Sequence, residues 1–254
     1  MIKKIGVVGL GTMGLSIIKH LASLEEFNLI GYSRNSVKDD KKFMLTQKLD
    51  DLHDCDLVIE AIEEDFKIKS EFFCKIASIV SKKCILATNT SSLSVQEMSS
   101  VVGVCERFVG LHFFNPVKSL KLVEVVFLEN TSSSVEHTIL EFVDSINKFG
   151  VVVADSPGYI VNRLIIPMIN DASYLLDECV AGAEEIDQAM KLGAGHPIGP
   201  LKLADLIGID VVMAILEQLD TRLEGDYKPS KTLSSMRASG LLGRKSKKGF
   251  YEYR

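Results

Sequence analysis

Residues 3–24 read KKIGVVGLGTMGLSIIKHLASL. The first part, KKIGVVGL, is a short run rich in β-branched residues, and TMGLSIIKHLASL places apolar residues at helical spacing. Between them Gly9, Gly11 and Gly14 form G-x-G-x-x-G, with Leu10, Thr12 and Met13 at the variable positions. The first glycine permits a tight turn, and the second lets backbone approach a pyrophosphate. The third lets helix and strand pack closely, which leaves the helix N-terminus aimed at negative charge. Strand, glycine loop and helix in that order predict a dinucleotide-binding βαβ unit.

The pattern continues outward from this unit. FNLIGY (27–32) reads as a second strand, CDLVIEAI (55–62) as a third and CILATNT (84–90) as a buried fourth, with a helical period over FKIKSEFFCKIASIV (66–80). RFVGLHFF and LKLVEVVF are two strand-like runs separated by the turn signal NPVKS (115–119). SSVEHTILEFVDSINKFG (133–150) is an amphipathic helix expected to stop at Gly150, and VVVAD (151–155) reads as a last strand. No strand is expected after DSPG (155–158). YIVNRLIIPMINDASYLLDE (159–178) is a long helix, with Ser156 as N-cap, Pro157 at the first helical position and a kink expected at Pro167. EEIDQAMKLGAG (184–195) and LKLADLIGIDVVMAILEQLDTRLEG (201–225) are two further helices. The expected fold is α/β: a Rossmann-type, mostly parallel sheet domain over 1–154, then an all-helical domain over 155–254.

Bulk composition limits the partners. Of 254 residues, 46% are hydrophobic, which supports a sizeable core. The net charge of −5 leaves no electrostatic footprint for a nucleic acid. The basic run GRKSKKG (243–249) is read as a solvated turn rather than a phosphate contact. Five cysteines (Cys55, Cys74, Cys84, Cys105, Cys179) lie far apart with no CxxC pair, so reduced thiols and no metal are expected. MIKKIGVVGLG makes a poor signal peptide, and no stretch approaches the ~18 apolar residues needed to cross a membrane. A cytoplasmic protein with no membrane partner is the expectation.

Two places carry candidate chemistry. An acidic residue at the end of the second strand would bind an adenosine ribose, but the chain has Ser33 and Arg34 there. A hydroxyl and a guanidinium suit a 2′-phosphate, and charged hydrogen bonds of ~1.5–3 kcal/mol would favour it by roughly 10- to 150-fold. The cofactor is therefore NAD or NADP, with NADP slightly favoured. Second, His112 ends one strand-like run and Glu124 lies in the next. Adjacent strands can bring them together, and a carboxylate on one ring nitrogen would fix the tautomer for proton transfer at the other.

GLGTMG, LVIEAI, NTSSLS (89–94), GLHFFNPV (110–117), KLVEVV (121–126), DSPGYIVNR (155–163), KLGAGHPIGP (191–200) and KKGFYEY (247–253) follow one another in order. Together they resemble the L-3-hydroxyacyl-CoA dehydrogenase family across nearly the whole chain. The resemblance implies that His112 is the general base on a substrate 3-hydroxyl, oriented by Glu124. It implies that Ser91 and Asn162 hydrogen-bond substrate oxygens, and that Glu64, Lys69, Ser91 and Asn115 surround the nicotinamide half of the cofactor. It also implies an acyl-CoA substrate and a homodimer formed through the helical domain.

The chain departs from the family pattern at Ser33 and in the short stretch NSVKDDKKFMLTQKLDDLHD (35–54). Family members usually carry a longer helical hairpin there, which helps hold the coenzyme A end of the substrate. Its loss makes a thioester on a carrier protein, or a short free 3-hydroxy acid, the alternative substrate.

Overall fold

The computed structural model describes residues 2–35, 41–223, 225 and 227–254. Residues 36–40, within the short stretch noted above, and Glu224, in the last helix read from sequence, lie outside the described residues. The chain divides into two compact units, Met1–Ser156 and Pro157–Arg254.

The first unit is one sheet of eight strands: β1 (Lys4–Val8), β2 (Asn28–Tyr32), β3 (Met44–Thr46), β4 (Leu57–Glu60), β5 (Ile85–Thr88), β6 (Phe108–Phe113), β7 (Leu122–Val126) and β8 (Phe149–Val153). Their spatial order is β3-β2-β1-β4-β5-β6-β7-β8. The pairs from β3 through to β6 are parallel; β6 and β7 pair antiparallel, and β8 lies parallel to β7. Strands β4, β5 and β6 are buried at every position, as a parallel sheet covered on both faces requires. Helices α1 (Thr12–Ala22), α2 (Phe66–Ile79), α3 (Val95–Val102) and α4 (Ser133–Ser145) complete the unit. Because β1 continues through α1 to β2 on one side while β4 lies on its other side, the strand order reverses at β1. The crevice outside the carboxyl ends of β1 and β4 is where such folds bind ligands.

Several elements differ from the sequence reading. The strand β3 pairs with β2 over three residues, too few for a periodic signal. Helix α3 was not expected either, although Ser94 caps it by accepting from the Glu97 amide and Gly103 closes it at φ 73°. Helix α4 ends before Asn147, which takes φ 57°, and Gly150 lies inside β8 rather than stopping the helix.

The second unit is helical: α5 (Val161–Asp177), α6 (Ala183–Gly193), α7 (Pro200–Ile207), α8 (Ile209–Arg222) and α9 (Lys231–Ala238). Its core gathers Ile166, Ile169, Val212, Leu216, Leu219 and Leu233. Helix α5 runs through Pro167 and begins at Val161, not at Pro157. Gly158 at φ 73° and Tyr159 at φ 47° are left-handed, so Ser156 and Pro157 cannot form a cap and a first turn. The single helix expected over 201–225 is broken into α7 and α8 at Gly208, whose φ is 107°. The KKGFYEY segment returns to buried Asp205, whose carboxylate accepts from the Phe250 and Tyr251 amides at 2.9 Å each and from the Tyr253 hydroxyl at 3.0 Å. The basic run ahead of it forms a turn in which Lys245 pairs with Asp210 and Lys248 pairs with Glu252.

Candidate active site

The phosphate loop is built as its glycines require. Gly9 takes φ 87°, and a Cβ there would lie 2.7 Å from the Ala61 carbonyl oxygen. A Cβ on Gly14 would lie 2.0 Å from the Gly9 oxygen, so only glycine lets α1 approach β1 this closely. At Gly11 a Cβ would meet no heavy atom within 4 Å; the backbone faces open space. No side chain caps the start of α1, and none of its first-turn residues is acidic. The orphan amides of Thr12, Met13 and Gly14 at a helix N-terminus beside bare glycine backbone fit a pyrophosphate, as the charge preference of a helix start demands. Leu10 packs against the sheet core. At the end of β2, Ser33 is half-buried and Arg34 exposed.

On the other side of β1, an acid–base cluster occupies the carboxyl ends of β4 and β5. Glu60 sits opposite Val8 on β1 and Thr88 on β5. Its carboxylate accepts from Lys69 Nζ at 2.6 Å, from the Ile62 amide at 2.6 Å and from Thr88 Oγ1 at 2.7 Å. Burial pushes the Glu60 carboxyl above its ordinary range, opposed by Lys69. Lys69 on α2 is itself fully buried and reaches Glu64 at 3.1 Å. Glu64 Oε1 in turn accepts from Thr90 Oγ1 at 2.6 Å, the Ser91 amide at 2.9 Å and Ser92 Oγ at 3.0 Å. Burial raises Glu64, but Lys69 and these hydrogen bonds outweigh it and hold the carboxyl below its usual value. Ser91 Oγ stands 3.3 Å from the same oxygen. Lys69 and Glu64 are thus no ordinary surface pair on a helix.

His112 and Glu124 are direct partners across the antiparallel β6–β7 pair. His112 Nδ1 lies 2.7 Å from Glu124 Oε2, with the imidazole buried and the carboxylate completely so. A carboxylate can only accept, so Nδ1 donates. The Phe114 ring lies 4.5 Å from the imidazole, centroid to centroid, and packs against it. The next residue, Asn115, is exposed at the head of the β6–β7 connection and joined to Pro116 by a cis peptide.

Of the residues expected from sequence, Glu64, Lys69 and Ser91 form one hydrogen-bonded cluster and His112 and Glu124 form one pair. Asn162 belongs to the helical unit, at the second position of α5. Five contributors were missed, Ser92 among them through its bond to Glu64. Glu60 binds Lys69, Thr88 donates to Glu60, Thr90 binds Glu64, and Asn89 Oδ1 accepts the Phe113 amide at 2.9 Å, tying the end of β5 to the residue after His112. The available signal was Glu60 itself, a lone acid closing the apolar strand LVIE.

A glycine-cradled helix N-terminus at the sheet's switch point, on the sheet that also carries a buried histidine–carboxylate pair, defines a dinucleotide-dependent oxidoreductase. Comparison with known proteins gives the family. Residues 32–156 match the 3-hydroxyacyl-CoA dehydrogenase NAD-binding domain, and residues 158–253 match the C-terminal domain of the same family. The chain belongs to the 3-hydroxyacyl-CoA dehydrogenase family. It is 42% identical to a 3-hydroxybutyryl-CoA dehydrogenase of Clostridioides difficile, over 98% of this chain and 99% of that one. It is 38% identical to another from Bradyrhizobium diazoefficiens, over 100% and 96% of the two chains. The crystal structure of (S)-3-hydroxybutyryl-CoA dehydrogenase PaaH1 from Ralstonia eutropha superposes with a TM-score of 0.92 at 35% identity, covering all of both chains. The alignment to the Clostridioides difficile protein runs over 280 positions against 254 residues here, so at least 26 positions (280 less 254) have no counterpart in this chain.

Proposed function

We propose that this chain interconverts an L-3-hydroxyacyl-CoA and its 3-oxoacyl-CoA form. The observation that carries the reading is the buried His112–Glu124 pair, directly opposed on β6 and β7 at 2.7 Å. Bound NAD(P) supplies the hydride acceptor or donor. In the oxidative direction His112 takes the hydroxyl proton at Nε2, and Glu124 stabilises the imidazolium that forms. In reduction the imidazolium returns that proton to the oxygen at C3. Ser91 and Asn162 hold the substrate oxygens, with Asn162 as the helical unit's contribution. Glu64, Lys69, Ser91 and Asn115 position the nicotinamide half. Ser33 and Arg34 favour NADP over NAD, because neither repels a 2′-phosphate.

In this reading residues 1–154 are the dinucleotide-binding domain and 155–254 the substrate and dimerisation domain of a cytoplasmic homodimer. A second reading replaces CoA by a carrier-protein arm or a short free 3-hydroxy acid. It is favoured by the connection from β2 to β3, which spans only residues 33–43, where the family pattern has a helical hairpin.

The test is turnover of acetoacetyl-CoA, its carrier-linked equivalent and free acetoacetate by the parent and by His112→Ala. The variant should bind dinucleotide with unchanged affinity and lose ~10²–10⁴ in kcat. Parental kcat in the variant would overturn the assignment of the base. Faster turnover of the carrier-linked or free substrate would replace the first reading by the second.

A further inference from the structure

Strands β2 and β3 end together. Tyr32 is the partner of Thr46, the Ser33 amide donates to the Thr46 carbonyl at 3.1 Å, and Gln47 Nε2 donates to the Arg34 carbonyl at 3.3 Å. The segments Ser33–Asn35 and Thr46–Lys48 therefore leave the carboxyl edge of the sheet side by side. They enclose a cavity of about 380 Å³ whose polar lining is Ser33, Asn35, Thr46, Gln47, Lys48 and Asp51. This is the end of the sheet at which β2 of a dinucleotide fold meets the adenosine ribose.

Asp51 is the one carboxylate among the described lining residues, and it is engaged by the Thr46 hydroxyl, which also accepts the Lys48 amide at 3.0 Å. Neither Lys48 nor Arg34 makes an ion pair with any described residue. A ribose 2′-hydroxyl calls for a carboxylate at the end of β2, where the chain has Ser33 and Arg34. A phosphate monoester calls for cations and neutral donors; the lining supplies the Lys48 ammonium, the Ser33 hydroxyl and the Asn35 and Gln47 carboxamides, and Arg34 stands between Ser33 and Asn35 on the adjoining segment.

We propose that this cavity is a 2′-phosphate subsite, in which Lys48 is a second specificity-determining cation beside Arg34 and Gln47 is a neutral donor. The ligand class is an adenine dinucleotide carrying a 2′-phosphate. The inference rests on the NADP reading of Ser33 and Arg34 and adds to it the residues contributed by β3. Pairing of β2 with β3 matters because it brings the segment Thr46–Lys48 alongside Ser33–Asn35.

The experiment is calorimetric titration of the full chain with adenosine 2′,5′-bisphosphate and with AMP, in the parent, Arg34→Ala, Lys48→Ala and Lys48→Glu. The same proteins are assayed for kcat/KM with NADPH and NADH. The parent should bind the bisphosphate more tightly than AMP. Lys48→Ala should lose about 3- to 10-fold in bisphosphate affinity, the scale of a charged contact at a solvent-exposed rim, and Lys48→Glu should lose more. AMP affinity and NADH kinetics should stay within about 2-fold in both Lys48 variants, since the residue faces only the added phosphate. If Lys48→Glu leaves the bisphosphate-to-AMP ratio unchanged while Arg34→Ala lowers it, the role of Lys48 is overturned and the NADP reading stands. If the parent binds both probes equally and prefers NADH, both readings fall.

Discussion

Lys69 has a fully buried ammonium held between two carboxylates, Glu60 at 2.6 Å and Glu64 at 3.1 Å. Leaving a fully buried charge without any partner costs ~3–5 kcal/mol, but Lys69 keeps Glu60 when Glu64 is removed. Glu64 is about a third exposed, so its share is smaller. Its pH dependence follows from its lowered pKa. A carboxyl depressed on folding stabilises the protein fully above its unfolded value of ~4.3, and that contribution is lost as pH falls through the lower folded value. Glu60 carries the opposite sign, because burial raises it, and Lys69 opposes that rise in parent and variant alike. Glu64→Gln should therefore lower Tm most at pH ~6–7, and the gap to the parent should close below pH ~4. A gap that stays constant across a melting series from neutral to acid pH would remove the ionised Glu64 from the cluster's energetics.

At the scale of elements, the β6–β7 pair sets the site, and the connection between those strands carries Asn115. That connection is anchored from two sides. The Val117 amide donates to Ser16 Oγ on α1 at 3.2 Å, and Lys148 Nζ donates to the carbonyls of Val117 and of Leu120, the latter at 2.8 Å. Lys148 is buried, and burial lowers its pKa, with Lys121 adding repulsion. Lys148→Met keeps the aliphatic stem but leaves two carbonyls without their donor. Urea denaturation should show a loss of about 1–3 kcal/mol, and a loss below about 0.5 kcal/mol would discard the anchor. Other elements show why sequence reading stops short. Helix α3 was legible in its Ser94-x-x-Glu97 box yet is only eight residues long, and α9 is short and mostly polar. Gly208 interrupts an otherwise continuous apolar period, so α7 and α8 read as one helix until the backbone shows φ 107°.

For the whole molecule, the division into a sheet unit and a helical unit puts His112, Glu124, Ser91, Glu64, Lys69 and Asn115 on one and Asn162 on the other. The helical unit also leaves apolar side chains in solvent: Leu164 at 69%, Val180 at 62% and Leu192 at 83% exposure. Single exposed apolar residues need no explanation, but several on one small helical unit fit a surface that a second copy covers. Sedimentation equilibrium should return twice the 28.0 kDa chain mass at micromolar concentration. A monomer mass there would leave these side chains as ordinary surface.

By itself the sequence determined the α/β class, the glycine loop and the two strands that bear His112 and Glu124, because hydrophobic period and glycine spacing are local properties of the chain. Only the tertiary structure decided that residues 112 and 124 face each other in register, that Lys69 is buried between Glu60 and Glu64, and that β3 brings Gln47 to the Arg34 backbone. The physical reason is range. A turn or an amphipathic face is chosen by neighbours within a few residues, whereas strand register and the pairing of buried charges depend on which distant segments the core brings together.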